Sequence, residues 1–549
     1  MAMTWIDYAS ILAFIALVLG VSMYKSRQKK DSAGYFLAGR EATWWLIGFS
    51  LIAANISTEQ FVGMSGAGAG NTGLAIASYE WIAAITLVFV AIFFLPRFLS
   101  AGIFTIPEYL EYRYNATART IMSLFLMVVY VCVTIVAVVY SGGLTIHAIF
   151  GWPLVPSIWL IGIFAALYTS FGGLKAVIWA DLIQGSALIL GGAIVLYFGL
   201  HAMTPDGGLL AGWSAFMEQA GDKMHMSLAM DHPELPFSAL IFGIWIPNFY
   251  YWGLNQYITQ RTLASKSLKE GQKGVLFAAA LKLLIPFVIV IPGIMAWLLF
   301  ADQLGDGTTA KDAAYPVLIR ELIPAGLTGF MLAALAGAVI SSLASMLNSA
   351  STIFTMDLFK RYLKQDATES QMVLVGRFTT LLFVVIGCLI APMLANPRFG
   401  GVFKYIQDFQ GFISPGILTA FVFGLVIKRT PAAAAIAAMV APAGTSGRSS
   451  ATARSAVSKS TPEKVSPRSN ACSSRSCRAK RSRAAAATSG EKARMAAGPL
   501  RRASSIASSA AASIASPVRS SARPSGQKPM DSVRCSVMAP IDRGSASEA

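Results

Sequence analysis

Five polar side chains fall within or beside stretches otherwise apolar enough to cross a membrane: Gln60, Glu80, Asn248, Lys282 and Gln407. An amide both donates and accepts a hydrogen bond, as a vicinal diol does. Amides joined by one acid and one amine therefore suit a neutral polyhydroxyl ligand. A charged group at a helix centre costs about 2.5–3.5 kcal/mol on insertion scales, so Glu80 (in Ser78-Tyr79-Glu80-Trp81) and Lys282 (in Ala280-Leu281-Lys282-Leu283-Leu284) need a reason to be there. Snorkelling or a structural ion pair are the plain alternatives for the charges. For the amides the alternative is an interhelical hydrogen bond, worth about 1 kcal/mol.

A second set offers oxygen alone. Ser341 and Ser342 lie in the small-residue run Ala336–Ser345, and the backbone near Ala53 and Ile56 offers carbonyls. Sodium is a hard cation, and hard cations take oxygen ligands. Close helix packing through small residues explains the same run equally well. Tyr251, in Tyr250-Tyr251-Trp252, lies three residues beyond Asn248, where it could gate a site or stack on a sugar; ordinary aromatic packing is the alternative. Asp181 reads as a lone acid at the cytoplasmic end of a span, placed to draw a departing cation or to complement a helix amino terminus.

The elements that position these groups are interrupted helices. Asn55-Ile56-Ser57-Thr58-Glu59-Gln60-Phe61-Val62 breaks the apolar segment from Trp44 to about Gly68, and Ile246-Pro247-Asn248, running on to Asn255-Gln256, breaks another. Unwound backbone persists at membrane depth only where it lines a cavity or binds something. Two such breaks, each early in one half of a bundle, point to a transporter's midplane site.

Of 549 residues, 55% are hydrophobic and 13% charged, against about 25% charged in soluble chains. Continuous apolar runs rather than alternation exclude a membrane β-barrel. Hydropathy gives eleven spans: 5–24, 43–67, 74–95, 118–149, 153–172, 176–201, 236–259, 274–300, 323–356, 372–395 and 402–427. Residues 1–42 then form one helix and a cytoplasmic loop, 43–201 and 236–430 two sets of five helices, and 202–235 an external loop. The matching breaks suggest inverted repeats.

Basic residues concentrate on alternate loops, among them Lys25 to Arg40, Arg97/Arg113, Lys175 and Arg261/Lys266/Lys269/Lys273. That places the amino terminus outside. No basic residue precedes the first span, so it is a retained helix rather than a signal peptide.

The net charge of +17 would suggest nucleic acid, but 19 Lys/Arg against 5 Asp/Glu after residue 444 account for +14 of it. All Phe, Trp and Tyr precede residue 445, so 431–549 reads as the start of a cut-off helix followed by a Ser/Ala/Arg-rich tail. The tail cannot bury a core and is expected to be disordered. An out-of-frame translation fits its composition better than a lipid- or nucleic-acid-binding arm. The five Cys and four His show no metal-ligand spacing.

Four strings, Ser50–Phe61, Leu74–Trp81, Asn255–Ala264 and Ile340–Ser349, closely resemble the sodium:solute symporter family, in particular its bacterial sodium/galactose (sodium/glucose-type) branch. The likeness spans residues 5–430. It implies an all-α, leucine-transporter-type bundle of five plus five helices with one extra amino-terminal helix. It also implies a multi-pass bacterial inner-membrane protein, not an enzyme, that couples inward sodium to hexose uptake by alternating access.

The matching positions imply sugar contacts from Gln60, Glu80, Asn248, Lys282 and Gln407. Tyr251 becomes the inner gate, with Met64, Tyr79, Trp252 and Phe403 as apolar neighbours. Sodium ligands are implied to be the carbonyls of Ala53, Ile56 and Ala338 and the hydroxyls of Ser341 and Ser342, with Asp181 on the exit route. Thr134 and Ala83 replace the branch's asparagine and serine, leaving the sugar open, and about three further carboxyl-terminal helices of the family are absent. Other solutes (myo-inositol, sialic acid), a sensor that does not translocate and a passive channel remain alternatives. A carboxylate solute fits less well beside Glu80.

Overall fold

Backbone groups have no water to bond to in a bilayer, so each apolar run must satisfy its own as helix. The computed structural model describes residues 4–26, 32–56, 59–305, 311–396, 402–427 and 429–441. These lie in one compact unit, residues 1–460; a second, 461–549, falls outside the described residues, as does the expected disorder of the tail.

In chain order the helices are α1 (Trp5–Lys25), α2 (Trp44–Asn55), α3 (Ser65–Ala69), α4 (Gly73–Ser100), α5 (Ala116–His147), α6 (Leu154–Leu167), α7 (Gly172–Met203) and α8 (Gly208–Ala220). They continue with α9 (Trp245–Leu254), α10 (Gln256–Leu263), α11 (Leu268–Leu304), α12 (Ala314–Leu322), α13 (Leu327–Leu363), α14 (Glu369–Ala395), α15 (Tyr405–Val426) and α16 (Ala432–Ala441). Among the described residues α1, α4, α5, α7, α11, α13, α14 and α15 are long and apolar enough to cross a membrane. Leu12 and Leu17 of α1, Val128 of α5, Leu160 of α6 and Phe378 of α14 are exposed on the outside, as a lipid-facing surface requires. By contrast α13 is enclosed by α1, α2 and α7, and its residues from Ser341 to Ile353 are all buried.

The first break falls where the sequence puts it: α2 ends at Asn55, a π-helical turn follows at Glu59–Met64, and α3 resumes the span. The second falls at the far end of its string. Ile246, Pro247 and Asn248 lie inside the first turn of α9, where proline's missing N–H costs nothing. The interruption is at Asn255, an extended residue between α9 and α10. The ends of both broken segments are tied together, since Ala42 N donates to Ala264 O (3.0 Å) and Lys266 N to Ala42 O (3.0 Å). Glu270 accepts from Trp44 N (2.8 Å) and so caps α2.

Among the described residues four expected loops hold helix: Ser32–Leu37, Ile106–Arg113, α8 within the external loop 202–235, and α12 between the spans 274–300 and 323–356. In α8, Phe216 is buried and its ring lies 5.6 Å from that of Trp213. Apolar spacing within a loop rich in acid was the missed signal.

Two glycines fix the packing. Gly173 turns the chain from α6 into α7 with φ +59°, and any side chain there would also meet the Tyr35 carbonyl. Gly293 lets α11 approach the broken helix so closely that a Cβ would sit 2.2 Å from Ser65 O. Gly293→Val is expected to lower stability by at least the ~1–3 kcal/mol of an overpacked core. Thermal melts in detergent check this, with Gly20→Ala, which meets nothing within 4 Å, as the unaffected control.

Candidate functional site

A cavity of about 40 Å³ lies where α2, its π-helical continuation, α4, α9, α11 and α15 converge. It is lined by Asn55, Gln60, Met64, Tyr79, Glu80, Ala83, Pro247, Asn248, Tyr251, Trp252, Lys282, Gln407 and Gln410. Lys282 is wholly buried and does not snorkel. Its ammonium donates to Glu80 Oε2 and to Asn55 Oδ1, and lies 5.0 Å from the centre of the Trp252 ring. The two charges that looked uncompensated therefore compensate each other, with an amide and an aromatic face completing the ammonium's surroundings. Asn248 Nδ2 donates to Ile244 O one turn back (3.0 Å), which fixes the plane of its amide.

On one side the cavity is shut by tyrosines. Asn55 Nδ2 donates to the Tyr251 hydroxyl (3.0 Å), and the Tyr257 hydroxyl donates to the same oxygen (2.5 Å). Tyr130 OH in turn donates to Asn255 Oδ1 and accepts from Tyr257 N (3.3 Å), so the break at Asn255 is held by this cluster. The opposite side opens. Tyr79, Pro247 and Gln407 are shared with a vestibule of about 580 Å³ whose rim includes Glu234, Lys311, Asp312 and Asp408. Lys223 reaches over that face from the loop after α8. Its ammonium donates to Ala69 O (3.0 Å) and Gly70 O (2.5 Å), the carboxyl end of α3, and lies 4.2 Å from the Trp297 ring centre. Burial, then the charge of Lys311, hold the Lys223 ammonium below its usual range.

A second polar centre lies beside the end of α2. A helix leaves its last carbonyls without an intrahelical partner, and here Ser342 Oγ donates to Ala54 O (3.4 Å). Ala53, Ile56, Ala338, Ser341 and Ser342 are all buried around this junction, and every polar group they offer to a cation is oxygen. Ser341 Oγ donates to Asp181 Oδ1 and Ser50 Oγ to Asp181 Oδ2.

A family model described as the sodium:solute symporter family matches residues 35–441. The chain belongs to that family. It is a multi-pass, sodium-coupled solute symporter and not an enzyme. A sodium/glucose cotransporter of Vibrio parahaemolyticus is 45% identical over 459 residues, which cover 80% of this chain and 84% of that protein. A sodium/myo-inositol cotransporter 2 of Homo sapiens is 34% identical over 452 residues, covering 77% and 66%. Among solved structures, a Na+-coupled sialic acid symporter in a substrate-bound outward-open state matches with TM-score 0.68 and 25% identity, over 78% of this chain and 88% of that one. The bundle is therefore of the leucine-transporter type.

The symporter's cavity gathers Gln60, Met64, Tyr79, Glu80, Asn248, Tyr251, Trp252, Lys282 and Gln407, all expected from sequence; the side chain of Phe403 lies outside the described residues. Asn55 and Gln410 were not anticipated as lining residues. Asn55 opens the interrupted string itself, and Gln410 lies one helical turn from Gln407, on the same face. Ala83 lines the cavity, whereas Thr134 is not among its lining residues and its hydroxyl donates to Tyr130 O (3.3 Å).

Asp181 needs correction. It is neither alone nor at a span's end but fully buried within α7, 2.9 Å from Arg261 Nη2. Arg261, expected in a basic loop, is itself buried in α10, where it also donates to Ser50 Oγ (2.7 Å), Tyr257 O and Ser345 Oγ. A guanidinium has five donors, and oxygens of Ser50, Asp181, Tyr257 and Ser345, from α2, α7, α10 and α13, accept from all three of its nitrogens. Removing one partner of a buried ion pair costs about 3–5 kcal/mol, and removing both costs far less. Arg261→Leu is thus expected to melt well below the parent in sodium-free detergent, and Arg261→Leu with Asp181→Leu to recover most of the loss. Equal melting of single and double variants would count against the pair.

Proposed function

We propose that the symporter carries a neutral hexose of the galactose/glucose type inward together with sodium, across a bacterial inner membrane and with its amino terminus outside. The observation that carries this reading is the cavity itself. Amides from Asn55, Gln60, Asn248, Gln407 and Gln410 surround one ion pair, whose net charge is zero, and aromatic faces are supplied by Tyr79, Tyr251 and Trp252. Hydroxyls of a sugar can be met by amides as donors or acceptors. A carboxylate solute would need a cation to spare, and Lys282 is engaged by Glu80 and Asn55. The likeness to sodium/glucose and sodium/myo-inositol cotransporters supports a polyol as solute.

In this reading sodium binds the carbonyls of Ala53, Ile56 and Ala338 and the hydroxyls of Ser341 and Ser342, drawing α2 against α13. Asn55, between Ala53 and Ile56 along the chain, is thereby set to meet Lys282 and Tyr251, so the ion orders the sugar site. Coupling of this kind is reciprocal, and sugar must tighten sodium by the same factor. Release of sodium towards Asp181 frees Tyr251 as inner gate, and the sugar follows.

Proteoliposomes with an imposed inward sodium gradient test the proposal. Labelled galactose or glucose is expected to accumulate and to be competed by hexoses. Lys282→Ala is expected to lose accumulation by at least tenfold while remaining folded, and Ser342→Ala to raise half-saturating sodium severalfold with little change in maximal rate. Uptake in Lys282→Ala equal to the parent's removes that residue from the site. Myo-inositol accumulating where hexoses do not replaces the solute while keeping the mechanism.

A further inference from the structure

One carboxyl beside the vestibule is used by nothing described above. Asp312 lies two residues before the first residue of α12, has a relative exposure of 9%, and among the described residues has no hydrogen-bond or ion-pair partner. It still reaches the vestibule, and it is pressed against the outer half of the broken helix, where its Oδ1 lies 2.9 Å from where a Cβ on Gly66 would be. The charged groups around it are few. Lys311 is its neighbour in sequence, with Lys223 close to Lys311; Glu234 and Asp408 share the vestibule; and Tyr140 of α5 faces it. None of these is paired with it.

An ionised carboxylate can remain there only while vestibule water solvates it, and closure over a solute removes that water. A buried charge without a partner then neutralises instead. We propose that Asp312 is a proton-binding site of the outer vestibule, ionised while the vestibule is open and protonated when it shuts. The proton comes from, and returns to, the vestibule solution, so none is moved across the membrane. Burial already pushes the Asp312 carboxyl up to about 7. Lowering pH through that value supplies the proton closure needs; raising it leaves a charge that opposes closure. The closure step rests on the transport reading above, whereas the proton site does not.

Two measurements test it. In proteoliposomes at equal pH inside and out and a fixed sodium gradient, initial uptake is expected to fall about tenfold from pH 6 to pH 8, following the neutral fraction of a group titrating near 7. Asp312→Asn and Asp312→Ala are expected to be flat across that range. Infrared difference spectra of the purified protein between the same pH values should show a carboxylic-acid C=O band at the lower pH that Asp312→Asn lacks. A flat parent profile, a variant that keeps the parent's profile, or identical infrared differences overturn the proposal. Should no hexose move at either pH, the hexose reading fails, and the infrared comparison still decides whether Asp312 holds the proton.

Discussion

A lysine ammonium buried at membrane depth is the constraint around which the central cavity is built. Lys282 can stay charged there only because Glu80 faces it from α4, Asn55 offers a carbonyl from the end of α2 and Trp252 turns a ring towards it. Each of these comes from a different element, so the ammonium fixes the relative positions of three helices with one group. Were α2 a continuous helix, its chain would carry on through the space that the cavity and the π-helical turn at Glu59–Met64 share. The break at Asn55 and the buried charge thus support one another.

A second buried charge sits on the other side of α2 and obeys the same logic. Arg261 and Asp181 neutralise each other, with Ser50, Ser341, Ser345 and the Tyr257 carbonyl filling the remaining donors and acceptors. The short helix α2 therefore lies between two ion pairs, meeting Lys282 through Asn55 and Arg261 through Ser50. Buried ionic networks are weak evidence for stability, and breaking one by removing a single partner is costly. A helix pinned at both ends of its last two turns cannot rotate or slide without leaving a charge unmet, which suits an element that must move in discrete steps.

Much of this was legible in sequence because polar residues in apolar runs are costly and hence informative. Glu80, Lys282, Gln60, Asn248 and Gln407 stood out for that reason, and all line one cavity. What was not legible is instructive. Within the second interrupted string Pro247 sits in the first turn of α9 and breaks nothing, and the break falls only at the string's far end, at Asn255. Arg261 followed the expected span 236–259 and preceded three lysines, so it read as loop; only the convergence of four helices reveals its partners. Pairing across 202 residues, as between Glu80 and Lys282, is a property of packing, and one sequence does not encode it visibly.

The two faces of the cavity are closed by different chemistry, and this bears on how the states interconvert. The tyrosine side rests on hydroxyl and amide hydrogen bonds among Asn55, Tyr130, Tyr251, Asn255 and Tyr257, each contributing about 0.5–1.5 kcal/mol net. A handful of such bonds is strong enough to favour one state and weak enough to be exchanged for bonds to water. Among the described residues the vestibule side has no such latch across its mouth. It has instead a loop fastened to the end of α3 by Lys223, so movement of α3 must carry that loop with it. Because Asn55 belongs both to the tyrosine cluster and to the Lys282 contact, loosening one weakens the other. The tyrosine closure is thereby sensitive to what occupies the cavity, and no longer pathway through the bundle is needed to connect them.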